Sequence, residues 1–192
     1  MKHTELERQL ARQQDQLAQA VISLSQGVAL KSILHHVGQL SMEMTGARYA
    51  MLSYIENGEK LFIPLGMTDD ELARLDGKEP KGIGLLGLMW DQHEVVRIND
   101  IAAHPNAAGF PPDHADMTTF LGAPILFGDE IQGVIYLTEK AGGHAFTSFD
   151  ETNVRTLASA CAVAISNVAH LEKLKARNVE LEKLLAERIG VS

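Results

Sequence analysis

Cysteine is almost missing from this chain: of 192 residues, only Cys161 carries a thiol. One thiol excludes an internal disulfide framework and any multi-cysteine zinc or iron–sulfur centre, so a reducing cytoplasm is the expected location. Positive charge is also short. Seventeen lysines and arginines face 25 acidic residues, a formal net charge of −8, which leaves no electrostatic footprint for nucleic acid or an anionic membrane surface. No stretch approaches the roughly 18 uninterrupted apolar residues of a membrane helix, and the opening MKHTELERQLARQQDQ is too polar for a signal peptide. The chain also lacks a phosphate loop ending in Gly-Lys-Ser/Thr, an H-E-x-x-H pair and a nucleophile–base–orienter series, so no enzymatic activity is expected.

What is present suits one folded domain with helical extensions. Hydrophobic residues make up 45% and charged residues 22% of the chain, enough to build a core, and its length exceeds one ordinary domain of roughly 100–150 residues. The surplus lies at the ends. Leu6, Leu10, Gln13, Leu17, Ala20 and Leu24 keep alternating steps of four and three, and so do Leu171, Leu174, Asn178, Leu181 and Leu185. Both are heptad seams, and a polar Asn178 within one of them fixes register and chain number at a cost in stability. Two seams at opposite ends predict a parallel homodimer. The expected organisation is an N-terminal dimerisation helix over residues 1–26, a domain over 27–169 and a C-terminal signalling helix over 170–192.

Between the seams, residues 28–45 have helical periodicity and Gly46 stops them. Extended runs over 49–55 and 60–64 flank Asn57-Gly58, a strong hairpin signal. A helical turn is expected over 69–75, a glycine-rich turn over 81–87 leading into a short helix, and a strand over 95–98. A second hairpin joins 122–127 to 132–139. The last helix follows Thr147 or Ser148 as its cap, with Asp150 and Glu151 at its N-terminal dipole. This order describes an α+β fold built on an antiparallel sheet with helices largely on one face.

Three segments, KGIGLLG (81–87), DIAAHPNAAGFPPDHADMTTFLGAP (100–124) and GVIYLTEKAGGHAFTSFDE (133–151), together resemble the GAF domain family in their order and spacing. The resemblance implies a central antiparallel sheet with helices on one face and a ligand pocket on the other. Within the family, GFPPDHADMTTFLGAP and VIYLTEK are most similar to the haem-binding GAF domains of DevS/DosT-type oxygen- and redox-sensing histidine kinases, although Ala115 and Asp116 stand where that loop often has proline. That likeness implies haem b, His114 as the iron ligand, and Tyr136 hydrogen-bonding a bound gas. It also implies a sensor of O2, NO, CO or redox state that signals to a downstream kinase or cyclase.

The residues themselves are compatible with that chemistry. Iron in a reversible gas binder takes a neutral imidazole, and Phe110, Met117 and Phe120 around His114 offer apolar walls for a flat macrocycle. Asp113 or Asp116 is placed to orient the second ring nitrogen, and the Tyr136 hydroxyl is a donor for a polarised ligand. The same residues also admit a haem-free module, with His114 an ordinary loop histidine, that binds another small molecule or serves as a dimerising scaffold. His104 is a fallback ligand. Lys140, Phe146, Asp150 and Glu151 imitate a cyclic-nucleotide signature in which Glu139 replaces asparagine. Cys161, inside an alanine-rich helical stripe, reads as a buried structural thiol rather than a bilin attachment point.

Overall fold

The structure is a computed structural model that describes residues 30–56, 58–74, 84–107 and 117–189. The N-terminal seam and part of the loop carrying Phe110 and His114 lie outside the described residues.

Helix α1 (Leu30–Thr45) buries Ile33, Leu34, Val37 and Leu40, the three-and-four spacing that puts apolar side chains on one helical face. Gly46 follows at φ 71°, and its N–H bonds to Met42 O at 2.8 Å. This is the left-handed C-terminal stop that glycine adopts without Cβ strain. Strands β1 (Ala47–Glu56) and β2 (Glu59–Leu65) form the first hairpin in the expected register, Glu56 opposite Glu59. Thr68 caps the short α2 (Asp69–Arg74) through a reciprocal box: Thr68 N–H donates to Glu71 Oε2, and Glu71 N–H donates to Thr68 Oγ1.

Next come α3 (Leu85–Gln92) and β3 (Val96–Ile98), then the second hairpin of β4 (Phe120–Phe127) and β5 (Glu130–Lys140). Helix α3 starts earlier than the glycine-rich run suggests and takes in Gly87. The sheet is antiparallel throughout, ordered β2-β1-β5-β4-β3. Helix α4 (Ser148–Ile189) closes the chain as one uninterrupted rod.

Alternation along the strands sorts side chains to two faces. Leu52, Leu121, Ala123, Ile125, Ile135 and Leu137 face the main core, against α1 and the first half of α4. Met51, Phe120, Val134 and Tyr136 point the other way, into a second apolar cluster with Leu85 and Met89 of α3 and with Ile98 and Ile101. The long helices therefore cover one face as expected, while the opposite face is covered by α3 and the segment after β3. One 18-residue window of α4 reaches a mean hydropathy of 1.3, but the apolar residues of its first half, Val154, Leu157, Ala158, Cys161 and Ala162, are buried in the main core.

The corner between β5 and α4 is fixed by ionic and capping contacts. The Lys140 ammonium pairs with Asp150, which also accepts hydrogen bonds from Thr147 N (2.6 Å) and Thr147 Oγ1 (2.8 Å). Asp150 N–H returns a bond to Thr147 Oγ1, completing a capping box at the helix start. Arg97 ties the sheet edge to the same corner, through Phe146 O at 3.1 Å and Glu151 at 3.5 Å.

Candidate functional site

Tyr136 lies near the middle of β5 on the face covered by α3, and it is 2% exposed. Its hydroxyl is used twice. It donates to Leu86 O at 2.8 Å and accepts from Trp90 Nε1 at 3.1 Å, so both bonds reach α3. Outside Trp90, the Lys60 ammonium of β2 sits 4.1 Å from the indole centroid, a cation–π contact. Burial pushes the Tyr136 pKa up to about 12, with the Ser53 hydroxyl and the Trp90 N–H acting in the opposite direction. Ser53 Oγ is fully buried and makes no hydrogen bond of normal geometry. Tyr136, Trp90, Lys60 and Leu86 thus form a chain of contacts that fastens α3 across the sheet.

The walls around this chain are uncharged. The Phe120 ring lies 6.2 Å from the Tyr136 ring at 45°. Met89 is fully buried, and a Cβ built on Gly122 would come within 2.7 Å of its sulfur. Glycine at 122 is therefore what lets α3 seat its methionine against β4. Met117 packs on the same cluster, and its sulfur accepts a hydrogen bond from Thr138 Oγ1 at 3.2 Å.

Of the five sequence-predicted cofactor residues, the structure brings Met117, Phe120 and Tyr136 together on one face. Phe110 and His114 lie outside the described residues. Even so, Ala107 and Met117, which flank residues 108–116, both pack against the second cluster, so both ends of that loop are tied to this face. Glu139 holds the downstream end. It adopts φ 56°, an uncommon conformation for a residue with a side chain, and its carboxylate accepts the N–H groups of Thr118 and Thr119.

The competing sites resolve differently. His104 Nδ1 accepts the Asn106 N–H at 3.2 Å, whereas a histidine bound through Nε2 carries its proton on Nδ1 and donates there. His104 is thus hydrogen-bonded the wrong way round for an iron ligand. Lys140, Phe146 and Asp150 are taken up by the β5–α4 corner, and Glu151 pairs with Arg97 and Arg155. Cys161 is fully buried, and burial raises its thiol to about 12. Among the described residues no cluster of three His, Cys, Asp or Glu side chains forms a metal site.

Leu86, Trp90, Lys60 and Ser53 were not legible as site residues in the sequence. Period-two alternation along β1 places Met51 and Ser53 on the Tyr136 face. No local signal announces the Trp90–Tyr136 bond, which spans 46 residues. Two grooves elsewhere leave Tyr136 and Phe120 untouched. One of about 450 Å³ lies beside Pro124, Glu151 and Arg155, and one of about 210 Å³ is lined by Leu30, Tyr54, Gln132 and Ile165.

The sequence profile of the GAF domain matches residues 28–166. A curated relative, the methyl sulfide methyltransferase-associated sensor of Methanosarcina acetivorans, is 25% identical over 148 residues, covering 72% of this chain and 14% of that protein. Among solved structures, the GAF domain of a phosphoenolpyruvate-protein phosphotransferase from Coxiella burnetii superposes with a TM-score of 0.69 at 24% identity, covering 84% of this chain and 96% of that one. A methyl-accepting chemotaxis protein fragment gives 0.64 at 15% identity, covering 79% and 98%. At these identities the structural likenesses establish the fold alone.

Proposed function

This chain belongs to the GAF domain family, and from that premise we propose that it is a sensor whose ligand occupies the sheet face now covered by α3, the ligand being haem b. The observation that carries this reading is the convergence of Met51, Met117, Phe120 and Tyr136 on one uncharged face to which both ends of the His114 loop are tied.

The fit to haem is chemical. The face offers thioether, aromatic and aliphatic walls with the Tyr136 hydroxyl at its centre and the Ser53 and Thr138 hydroxyls beside it, a mostly apolar lining that suits a flat macrocycle. His114 would hold the iron, Phe110, Met117 and Phe120 would wall the ring, and Tyr136 would donate to a bound ligand. Bound haem would supply the iron centre that takes up O2, NO or CO or changes oxidation state. Leu85, Met89 and Trp90 fill the space at present, so entry requires α3 to withdraw. Tyr136 would then lose its bonds to the Leu86 carbonyl and the Trp90 N–H, and its hydroxyl would be free to donate to a bound ligand. Four residues along β5, Lys140 carries the change to Asp150 and the start of α4, the output rod toward a kinase or cyclase partner. A ligand shifts this equilibrium only as far as it binds the α3-open form more tightly than the closed one.

A second reading, a haem-free module, is favoured by one observation: the Tyr136 hydroxyl is already satisfied as donor and acceptor, and the face is filled by its own chain. Absorption spectroscopy after addition of hemin separates the two. Haem binding predicts a Soret band shifted from free hemin in the wild type and lost or displaced in His114→Ala. A wild-type spectrum identical to free hemin, or a His114→Ala band identical to wild type, rejects the assignment.

A further inference from the structure

Ser53 breaks the pattern of the sheet face on which it stands. Its neighbours across the sheet are Phe62 on β2 and Val134 on β5, and along β1 it lies between Met51 and Ile55 on the same face. None of these four side chains carries a hydrogen-bonding nitrogen or oxygen. Ser53 is fully buried, and its Oγ makes no hydrogen bond of normal geometry. A sealed, unsatisfied hydroxyl destabilises a fold, and alanine would occupy this position without that cost. Departures of this kind from what local packing asks concentrate at functional sites.

Tyr136 is the diagonal neighbour of Ser53, because Val134, opposite Ser53, lies two positions before it on β5. Diagonal neighbours on one sheet face stand about 7–8 Å apart, within reach of an aromatic side chain. The two hydroxyls already influence each other: Ser53 holds the Tyr136 pKa down against the rise that burial causes. A phenol oxygen donates once and can accept as well. With α3 in place Tyr136 donates to Leu86 O and accepts from Trp90 Nε1, and Ser53 is left out. Both bonds reach α3, so its withdrawal removes them together and leaves the phenol hydroxyl without a fixed direction.

We infer that Ser53 is a positioning residue for Tyr136: when α3 withdraws, Ser53 Oγ–H donates to the Tyr136 oxygen in place of Trp90 Nε1, and the phenol proton is left for the ligand. This role rests on the proposed entry of a ligand beneath α3, and it gives β1 a part in the site. The hydroxyl that is an orphan under the closed cover is satisfied once the cover opens. Ser53 therefore raises the closed form relative to the open one and biases α3 toward release, while fixing the direction in which Tyr136 donates.

The test is a mutant cycle on the ligand-free full chain, read by urea unfolding followed by circular dichroism. Trp90→Phe keeps a ring on α3 and deletes the N–H, which reproduces the loss of the donor with no ligand present; Trp90→Leu takes its place if that variant does not fold. Ser53→Ala should leave the wild-type midpoint unchanged or raise it, since it removes an orphan. It should lower the midpoint of Trp90→Phe, where Ser53 has taken over the bond. Adding Tyr136→Phe should abolish that lowering, which a packing role for Ser53 would not do. Isotope-edited NMR at tyrosine Cζ, with Tyr136 assigned as the signal missing from Tyr136→Phe, should show Ser53→Ala moving the Tyr136 resonance further in Trp90→Phe than in the wild type. Equal midpoint shifts in the two backgrounds, a lowering that survives Tyr136→Phe, or a Tyr136 resonance that Ser53→Ala leaves unmoved in Trp90→Phe each overturn the inference. No hemin enters the cycle, so its failure is distinct from a failure to bind haem.

Discussion

Replacing Tyr136 by phenylalanine keeps the ring against Phe120 and removes one oxygen, the atom on which α3 is fastened to the sheet. Two hydrogen bonds disappear, each worth about 1 kcal/mol net. Their partners, Leu86 and Trp90, are half-buried and regain some water, so the expected loss is about 2 kcal/mol rather than the larger penalty of two sealed orphans. For a chain of this size that corresponds to a fall in Tm of roughly 4–8 °C. Helix α3 should loosen without detaching, because fully burying Met89 is itself worth about 2 kcal/mol. Trp90 is the only tryptophan, so intrinsic fluorescence reports on α3 directly, and its emission should move to longer wavelength in the variant.

The same substitution carries an alkaline signature. The folded pKa of Tyr136 is raised to about 12, above the unfolded value near 10. Its contribution is therefore complete below pH 10 and is lost as pH climbs toward 12, by at most about 3 kcal/mol. The phenylalanine variant lacks this limb, whereas Tyr49, also raised mainly by burial, keeps its own. Urea unfolding followed at Trp90 measures both effects. An unchanged midpoint with an unchanged emission maximum would refute the idea that the hydroxyl fastens α3.

Two further outcomes follow from the corners of the fold. Lys140→Met strands the Asp150 carboxylate at a position 3% exposed, and chemical denaturation should show a loss of about 3 kcal/mol, largely recovered when Asp150→Asn is added. Equal losses in the single and double variants would count against the pair. Glu71 is held below the usual carboxylate range by hydrogen bonds from Thr68, then from Tyr49. Its contribution is complete above its unfolded pKa and is lost as pH falls through the folded value. The stability gap between wild type and Glu71→Gln should accordingly narrow on acidification below about pH 4.5, and a gap independent of pH would contradict the contact.

Features set by short-range rules were legible in the sequence. Gly46 ends α1, Thr147 caps α4, and the β1–β2 and β4–β5 hairpins fix the sheet, because each depends on backbone conformation within a few residues. The strand expected at 122–127 begins two residues earlier, at Phe120, and only with that start does alternation along β4 and β5 put Phe120 and Tyr136 on one side. What joins α3 to Tyr136 was not legible: Leu86 contributes a backbone carbonyl, which carries no side-chain signature, and Trp90 lies 46 residues away. The same holds for Glu139, whose inverted backbone reads as an ordinary strand position until its carboxylate is seen on Thr118 and Thr119.

Hydrogen–deuterium exchange of the segment Leu85–Gln92, with and without hemin at saturation of the Soret change, asks most directly whether the ligand takes the face that α3 now covers. The account predicts that hemin accelerates exchange in α3 in the wild type and has no such effect in His114→Ala. A full Soret change with α3 protection unaltered would place the ligand elsewhere and contradict it.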